Sequence, residues 1–265
     1  MTGPSADETV PPIRVVKYGG AAMADDATRR ATAAALGRLR DGGTRLVIVH
    51  GGGPAIAQAL AASGVESRFV RGRRVTDRRA IGTVEAALTL LGKRLAQEVG
   101  EAVGLTGRDA QLLRAEVADP ELGRVGRMTG VRREVLDALA ASGLTPVIAC
   151  LAVDPEGQPL NVNADEVAAA VAGSLAAGVT FLTDVPGVLD DPDDSATLIP
   201  RLTEAEARAR LEDGRIGGGM IPKVESALAA LEQGAPSATI VDGRDASVLA
   251  EALDGRGGTR LVPSA

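Results

Sequence analysis

The sequence is nearly without aromatic side chains: no tryptophan, one tyrosine and two phenylalanines in 265 residues. The 45% of apolar residues must therefore build a core from alanine, valine and leucine. There is a single cysteine, Cys150, so no intramolecular disulfide can form and a reducing, cytoplasmic setting is favoured. Cys150 and the lone histidine, His50, are too few soft ligands for a structural zinc site. No G-x-S-x-G occurs, which argues against a hydrolase triad, and no G-x-x-x-x-G-K-[ST] occurs, which excludes a Walker-type ATPase. Lys+Arg 29 against Asp+Glu 35, with no basic tract, is not the footprint of a nucleic-acid binder. The first residues carry Asp7 and Glu8 and no apolar run, so they are not a signal peptide. The nearest approach to a membrane span, Val167 to Leu182, is short, alanine-rich and broken by Gly173 and Gly178.

What is present is organised around L-V-I-V-H-G-G-G-P-A-I, Leu46 to Ile56. The apolar, β-branched run fits a buried parallel strand. Gly51, Gly52 and Gly53 permit a tight turn, and Pro54 suits the first turn of the helix that follows. Free amides and the positive end of a helix dipole make such a turn an anion site, read first as a phosphate cradle.

In chain order, residues 1–12 read as a disordered tail because Pro4, Pro11 and Pro12 oppose helix and sheet. Strand Ile13 to Tyr18, a helix capped by Asp25 or Asp26, the central strand and a second helix give the alternation of a parallel sheet with crossover helices. Arg68 to Asp77 alternates as a short hairpin or flap, and Thr76 or Asp77 caps a long helix to about Val99. Residues 103–130 read as short strands and turns, Val131 to Ser142 as a helix, and Pro146 to Val153 as one strand. Leu160 to Glu166 opens an alanine-rich helix, Val179 to Thr183 is a strand, and Asp190 to Ala196 is an acidic surface loop. Thr203 caps a helix to about Glu212, Gly217 to Lys223 starts another, and Ala238 to Val241, Ala246 to Leu253 and Thr259 to Val262 close the chain as strand, helix and strand. The subdivision falls near residue 178.

Several side chains carry chemistry. Lys17, beside Gly19 and Gly20, is either a surface lysine or an ammonium delivered to the carboxyl end of a strand, where open α/β sheets bind ligands. Lys223 follows a glycine run and is either a solvated helix lysine or a phosphate contact. Together they would form a cationic clamp for a transferring phosphoryl group. Asp165 is either a helix cap, a role open to Asn163 as well, or a carboxylate that orients the lysines or holds magnesium. Arg74 offers a fork for a substrate carboxylate. His50 invites a catalytic role, although a strand-end histidine more often makes one structural hydrogen bond.

Taken together, K-Y-G-G (17–20), H-G-G-G-P (50–54), R-V-T-D (74–77), N-V-N-A-D (161–165), T-D-V-P-G-V (183–188) and G-M-I-P-K-V (219–224) resemble the amino acid kinase family, and within it the acetylglutamate-phosphorylating branch. The resemblance covers residues 13 to 263. It implies a three-layer αβα sandwich with a mainly parallel open central sheet. Residues 13–178 would form the acyl-substrate and dimerisation lobe, and 179–265 the ATP-binding lobe. The implied reaction moves the γ-phosphoryl group of MgATP to the side-chain carboxylate of N-acetyl-L-glutamate, in arginine biosynthesis. ATP and Mg2+ are thus the implied cofactors and a homodimer the implied assembly. By motif position Lys17 and Lys223 resemble the transition-state lysines and Asp165 the aspartate that organises them. Gly52, Gly53, Arg74 and Asn161 resemble the acyl-substrate contacts. Gly19, Gly20, Asp184, Val185, Pro186, Gly187, Val188, Leu189, Arg215, Ile216 and Gly217 fall on the nucleotide side, which moves the nucleotide away from the 51–53 turn. Arginine-inhibited members carry an extra N-terminal helix, and the short proline-bearing tail here implies an arginine-insensitive dimer. Residues 217–219 read G-G-G where relatives often carry polar residues. A carrier-linked aminoadipate kinase and a non-catalytic metabolite-binding regulator are the alternatives. A regulator would be expected to lose a lysine or Asp165, and all three are present.

Overall fold

The computed structural model describes residues 11–23, 25–191 and 193–264, so the tail expectation for residues 1–10 lies outside them. In chain order the elements are β1 (Ile13–Tyr18), α1 (Asp26–Asp41), β2 (Arg45–His50), α2 (Gly53–Ala62) and the hairpin β3 (Phe69–Val70) and β4 (Arg73–Arg74). Then come α3 (Ala80–Val99), β5 (Ala102–Leu105), β6 (Leu113–Val117), β7 (Gly126–Val131), α4 (Arg133–Ala141), β8 (Thr145–Ala149), β9 (Leu151–Val153) and β10 (Pro159–Asn161). The chain continues through α5 (Ala164–Leu175), β11 (Gly178–Thr183), β12 (Arg201–Thr203), α6 (Glu204–Glu212), α7 (Ile221–Glu232), β13 (Ala238–Asp242), α8 (Leu249–Leu253) and β14 (Thr259–Val262).

Local chemistry sets several helix starts. The Asp25 carboxylate accepts the N–H groups of Ala27 and Thr28 at the head of α1. Thr203 and Glu206 form a reciprocal capping box on α6. At α5 the cap is Asn163, whose side chain accepts the Asp165 N–H at 3.0 Å. The neighbouring Asp165 carboxylate is therefore spare.

Eight strands form the main sheet in the order β12-β14-β13-β11-β1-β2-β8-β5. All its pairings are parallel except β13 with β14. Strand alternation sorts side chains onto two helical layers. Val15, Val47, Val49 and Ile148 pack with residues of α5 and α7 on one face. Val16, Tyr18, Ile48 and Leu182 pack with Leu36 of α1 and Leu249 of α8 on the other. The three-layer αβα architecture expected from the sequence is present.

Two local expectations change. The apolar run Pro146 to Val153 is not one strand but β8 and β9, which belong to different sheets. The break is at Cys150, whose N–H still bonds His50 of β2 while its carbonyl accepts from Val162. All of 145–153 is buried, so no change in hydrophobic pattern marks the exit. β9 joins the four-stranded sheet β10-β9-β6-β7. Val131 ends β7 rather than starting a helix, and Arg201–Thr203, unassigned from sequence, supplies the sheet edge.

Candidate active site

β1, β2 and β11 run parallel, so their carboxyl ends open on one edge of the sheet. From β1 the chain moves to β2 on one side, while β11 leads to β13 on the other. The reversal creates a crevice at the β1/β11 boundary, the usual ligand position in open α/β sheets. Lys17 is the penultimate residue of β1 there and Asp184 follows β11.

Alternation puts Lys17 on the Val15 face, under the first turn of α5. Its Nζ lies 3.0 Å from the Asp165 carboxylate, both side chains being largely buried. Lys223, in the first turn of α7, reaches Asp184 at 3.2 Å and also donates to the Gly219 carbonyl. Asp165 thus holds one lysine rather than two, and the second has a carboxylate of its own. The hydrogen bond from Lys223 holds the Asp184 carboxyl below the ordinary carboxylate range, against the opposing effect of burial.

Two cavities meet at Asp184 and Lys223. One, of about 310 Å³, is walled by Asp184, Val185, Pro186, Gly187, Val188, Leu189, Arg215, Ile216 and Gly217, with Met220. The other, of about 280 Å³, contains Lys17, Gly20, Asp165, Thr183 and Ser226. Ser226 was not singled out from the sequence; it lies one turn beyond Lys223 on α7, and that spacing was the available signal. Gly19 packs toward the Gly51 amide instead of lining the cavity.

The remaining candidates, Gly52, Gly53, Arg74 and Asn161, do not line either cavity. The N-terminus of α2 at Gly52 has no side-chain cap, leaving first-turn amides for an anion. A Cβ on Gly52 would stand 2.7 Å from Leu88 Cδ2, so any larger residue here must shift that leucine, whereas Gly53 has open space. Arg74, on the hairpin, donates to the Gly53 carbonyl at 3.2 Å and to Ser67, and stacks 4.6 Å from the Phe69 ring centroid. Asn161 donates to Thr76 Oγ1 at 3.2 Å. Ser67 carries no mark in the sequence, and Thr76, a candidate helix cap, instead meets Asn161.

His50 is fully buried; Nδ1 donates to the Gly51 carbonyl at 2.9 Å and Nε2 has no partner among the described residues. Its ring faces Gly92, where a Cβ would come within 2.8 Å of Nε2. This is the single structural hydrogen bond expected of a strand-end histidine. Burial pushes its pKa down to about 4 from 6.5. Between those values the unfolded chain takes a proton that the fold refuses, so stability falls as pH drops from 6.5 to 4 and levels below. The slope is about 1.4 kcal/mol per pH unit, about 3 kcal/mol in all. Urea midpoints of wild type and His50→Asn between pH 7 and 4.5 check this. The variant should show a flatter pH dependence, and parallel curves would count against it.

Among the described residues no helix is long and apolar enough to cross a membrane. A profile described as "Amino acid kinase family" matches residues 12–242. An acetylglutamate kinase of Deinococcus radiodurans is 56% identical over 94% of this chain and 100% of that protein. One from Thermus thermophilus is 49% identical over 94% of this chain and 98% of that protein. The solved N-acetylglutamate synthase of Neisseria gonorrhoeae, complexed with coenzyme A and N-acetyl-glutamate, superposes with a TM-score of 0.80 at 25% identity. That match covers 96% of this chain and 60% of the synthase. By profile, sequence and fold, the chain belongs to the amino acid kinase family.

Proposed function

We propose that the protein transfers the γ-phosphoryl group of MgATP to the side-chain carboxylate of N-acetyl-L-glutamate, giving N-acetyl-L-glutamyl 5-phosphate for arginine biosynthesis. The observation that carries this reading is the meeting of two cavities at the Lys223–Asp184 pair, with the Lys17–Asp165 pair in the second. The relatives named acetylglutamate kinase support the choice of acceptor.

The acceptor carboxylate, with a pKa of about 4, is ionised at neutral pH and needs no general base. This agrees with a site whose only histidine is buried and structurally engaged. The difficulty is bringing an anion to a polyanion. ATP fills the cavity walled by 184–189 and 215–217, within the nucleotide lobe 179–265. N-acetylglutamate lies in the lobe 13–178, between the Gly52–Gly53 turn, Arg74 and Asn161. The γ-phosphoryl group crosses between Lys17 and Lys223, which neutralise its spreading charge. Asp165 fixes Lys17, and Asp184 holds Lys223 until phosphate oxygens replace it. Among the described residues no cluster of three or more acidic, histidine or cysteine side chains could cage a metal ion. Magnesium is accordingly read as part of the substrate, supplying charge neutralisation on the phosphates. The active protein is read as a homodimer, which light scattering checks.

A coupled ATP-to-ADP assay with hydroxylamine trapping tests the reaction, comparing N-acetylglutamate, glutamate, aspartate and carbamate. A hydroxamate is expected with N-acetylglutamate, and its absence would refute the reading. Arg74→Ala should raise KM for N-acetylglutamate by about tenfold or more, the scale of one charged hydrogen bond. A change confined to KM for ATP would place Arg74 on the wrong side.

A further inference from the structure

The residue after Asp165 is Glu166, and it makes contacts that phosphoryl transfer does not use. Both belong to the first turn of α5. Asp165 turns to Lys17, while Glu166 turns the other way and uses both carboxylate oxygens. Oε1 accepts the Met128 N–H at 2.8 Å. Met128 lies on β7, the edge strand of the small sheet, so this amide faces away from β6 and needs an acceptor. Oε2 lies 3.9 Å from the guanidinium of Arg73. Arg73 precedes Arg74 on β4, the strand that sets the Arg74 fork over the Gly53 carbonyl. A carboxylate in the first turn of a helix is also favoured by the dipole.

The geometry points to Glu166 as a positioning residue that fastens the β3–β4 hairpin and β7 to the helix turn carrying Asp165. One turn of α5 then sets two things at once: the lysine at the reacting centre and the height of the acyl-side hairpin above the anion turn. Glu166 touches neither substrate. It tunes acceptor recognition through Arg73 and the backbone of β7. The acceptor part of this inference rests on the proposed reaction; the mechanical part does not.

Hydrogen exchange of hairpin amides 69–75 in Glu166→Ala tests the mechanical part without any substrate. Their exchange should quicken several-fold, with Glu166→Gln intermediate because its amide oxygen still accepts from Met128. Unchanged exchange would overturn the inference even if the enzyme phosphorylates N-acetylglutamate. Faster exchange would sustain it even if N-acetylglutamate proved to be the wrong acceptor. In steady-state assays Glu166→Ala should raise KM for N-acetylglutamate about three- to tenfold and leave KM for ATP within twofold. Arg73→Ala should have a smaller effect of the same kind. The double variant should be no worse than Glu166→Ala, as expected for residues acting through one contact. Additive losses, or equal losses in kcat and both KM values with no rescue by glutamine, would show that Glu166 only supports folding.

Discussion

Lys17→Ala and Lys223→Ala are each expected to lower kcat by about 10²-fold or more, the loss typical of removing a preorganised charge donor. The two ammonium groups line the same cavity of about 280 Å³, each held by a carboxylate before substrate arrives. Their contribution grows as charge spreads onto the oxygens of the group in transit, so the loss belongs in kcat more than in ground-state binding. The two variants should differ in a second respect. Lys223 also borders the larger cavity, and its removal should raise KM for ATP; Lys17 does not, and its removal should leave that constant nearly unchanged. Steady-state kinetics with both substrates varied settle the matter. Near-normal kcat in both variants would sink the catalytic assignment. Neither side chain belongs to the apolar core, so melting temperatures should fall far less than kcat.

The second large effect concerns the floor of the larger cavity. Gly187 has φ of 149°, and an added Cβ would lie 2.5 Å from Thr259 Oγ1 and 2.9 Å from the Thr259 backbone nitrogen. Thr259 is buried and its hydroxyl joins two segments, accepting the Val188 N–H and donating to the Ile199 carbonyl, each at 2.7 Å. Gly187→Ala must therefore strain its own backbone and displace a hydrogen-bonded threonine. A cost of about 2–4 kcal/mol follows from backbone strain plus overpacking. For a chain of this size that lowers Tm by roughly 5–15 °C. KM for ATP should rise because 184–189 wall the cavity. Gly53→Ala is the control: nothing lies within 4 Å of its Cβ position, and its Tm should barely move. Equal melting temperatures for wild type and Gly187→Ala would refute the packing argument.

Much of this site was legible before any coordinates. Lys17 sits at a strand end beside Gly19 and Gly20, and Lys223 follows a glycine run at a helix start. The motif order assigned Arg74 and Asn161 to one side and 184–189 to the other. The lysines' partners were not legible. Asp165 was expected to serve both, yet the structure gives Lys223 to Asp184. Nor did anything in A-D-E separate Asp165, turned to Lys17, from Glu166, turned to β7. Adjacent acids in a first helical turn look alike until the elements packed around the helix are known.

The glycine turn at 51–53 shows the same division. Its glycines and the following Pro54 determined, by sequence alone, a tight strand-to-helix turn at a helix start without a side-chain cap. Which anion it faces depends on strand order, because β1 and β11 stand side by side only after the chain has crossed the sheet. Likewise the sequence determined the alternation of elements, the short stretches in which their caps fall and a core of small aliphatic residues, since these follow from neighbours along the chain. Only tertiary structure decided that 145–153 divides between two sheets at Cys150, that Gly52 packs against Leu88, and that two cavities meet at Lys223. Buried parallel strands all read as similar apolar runs, so their order and register are set by packing between distant segments, where the sequence pattern carries no distinguishing mark.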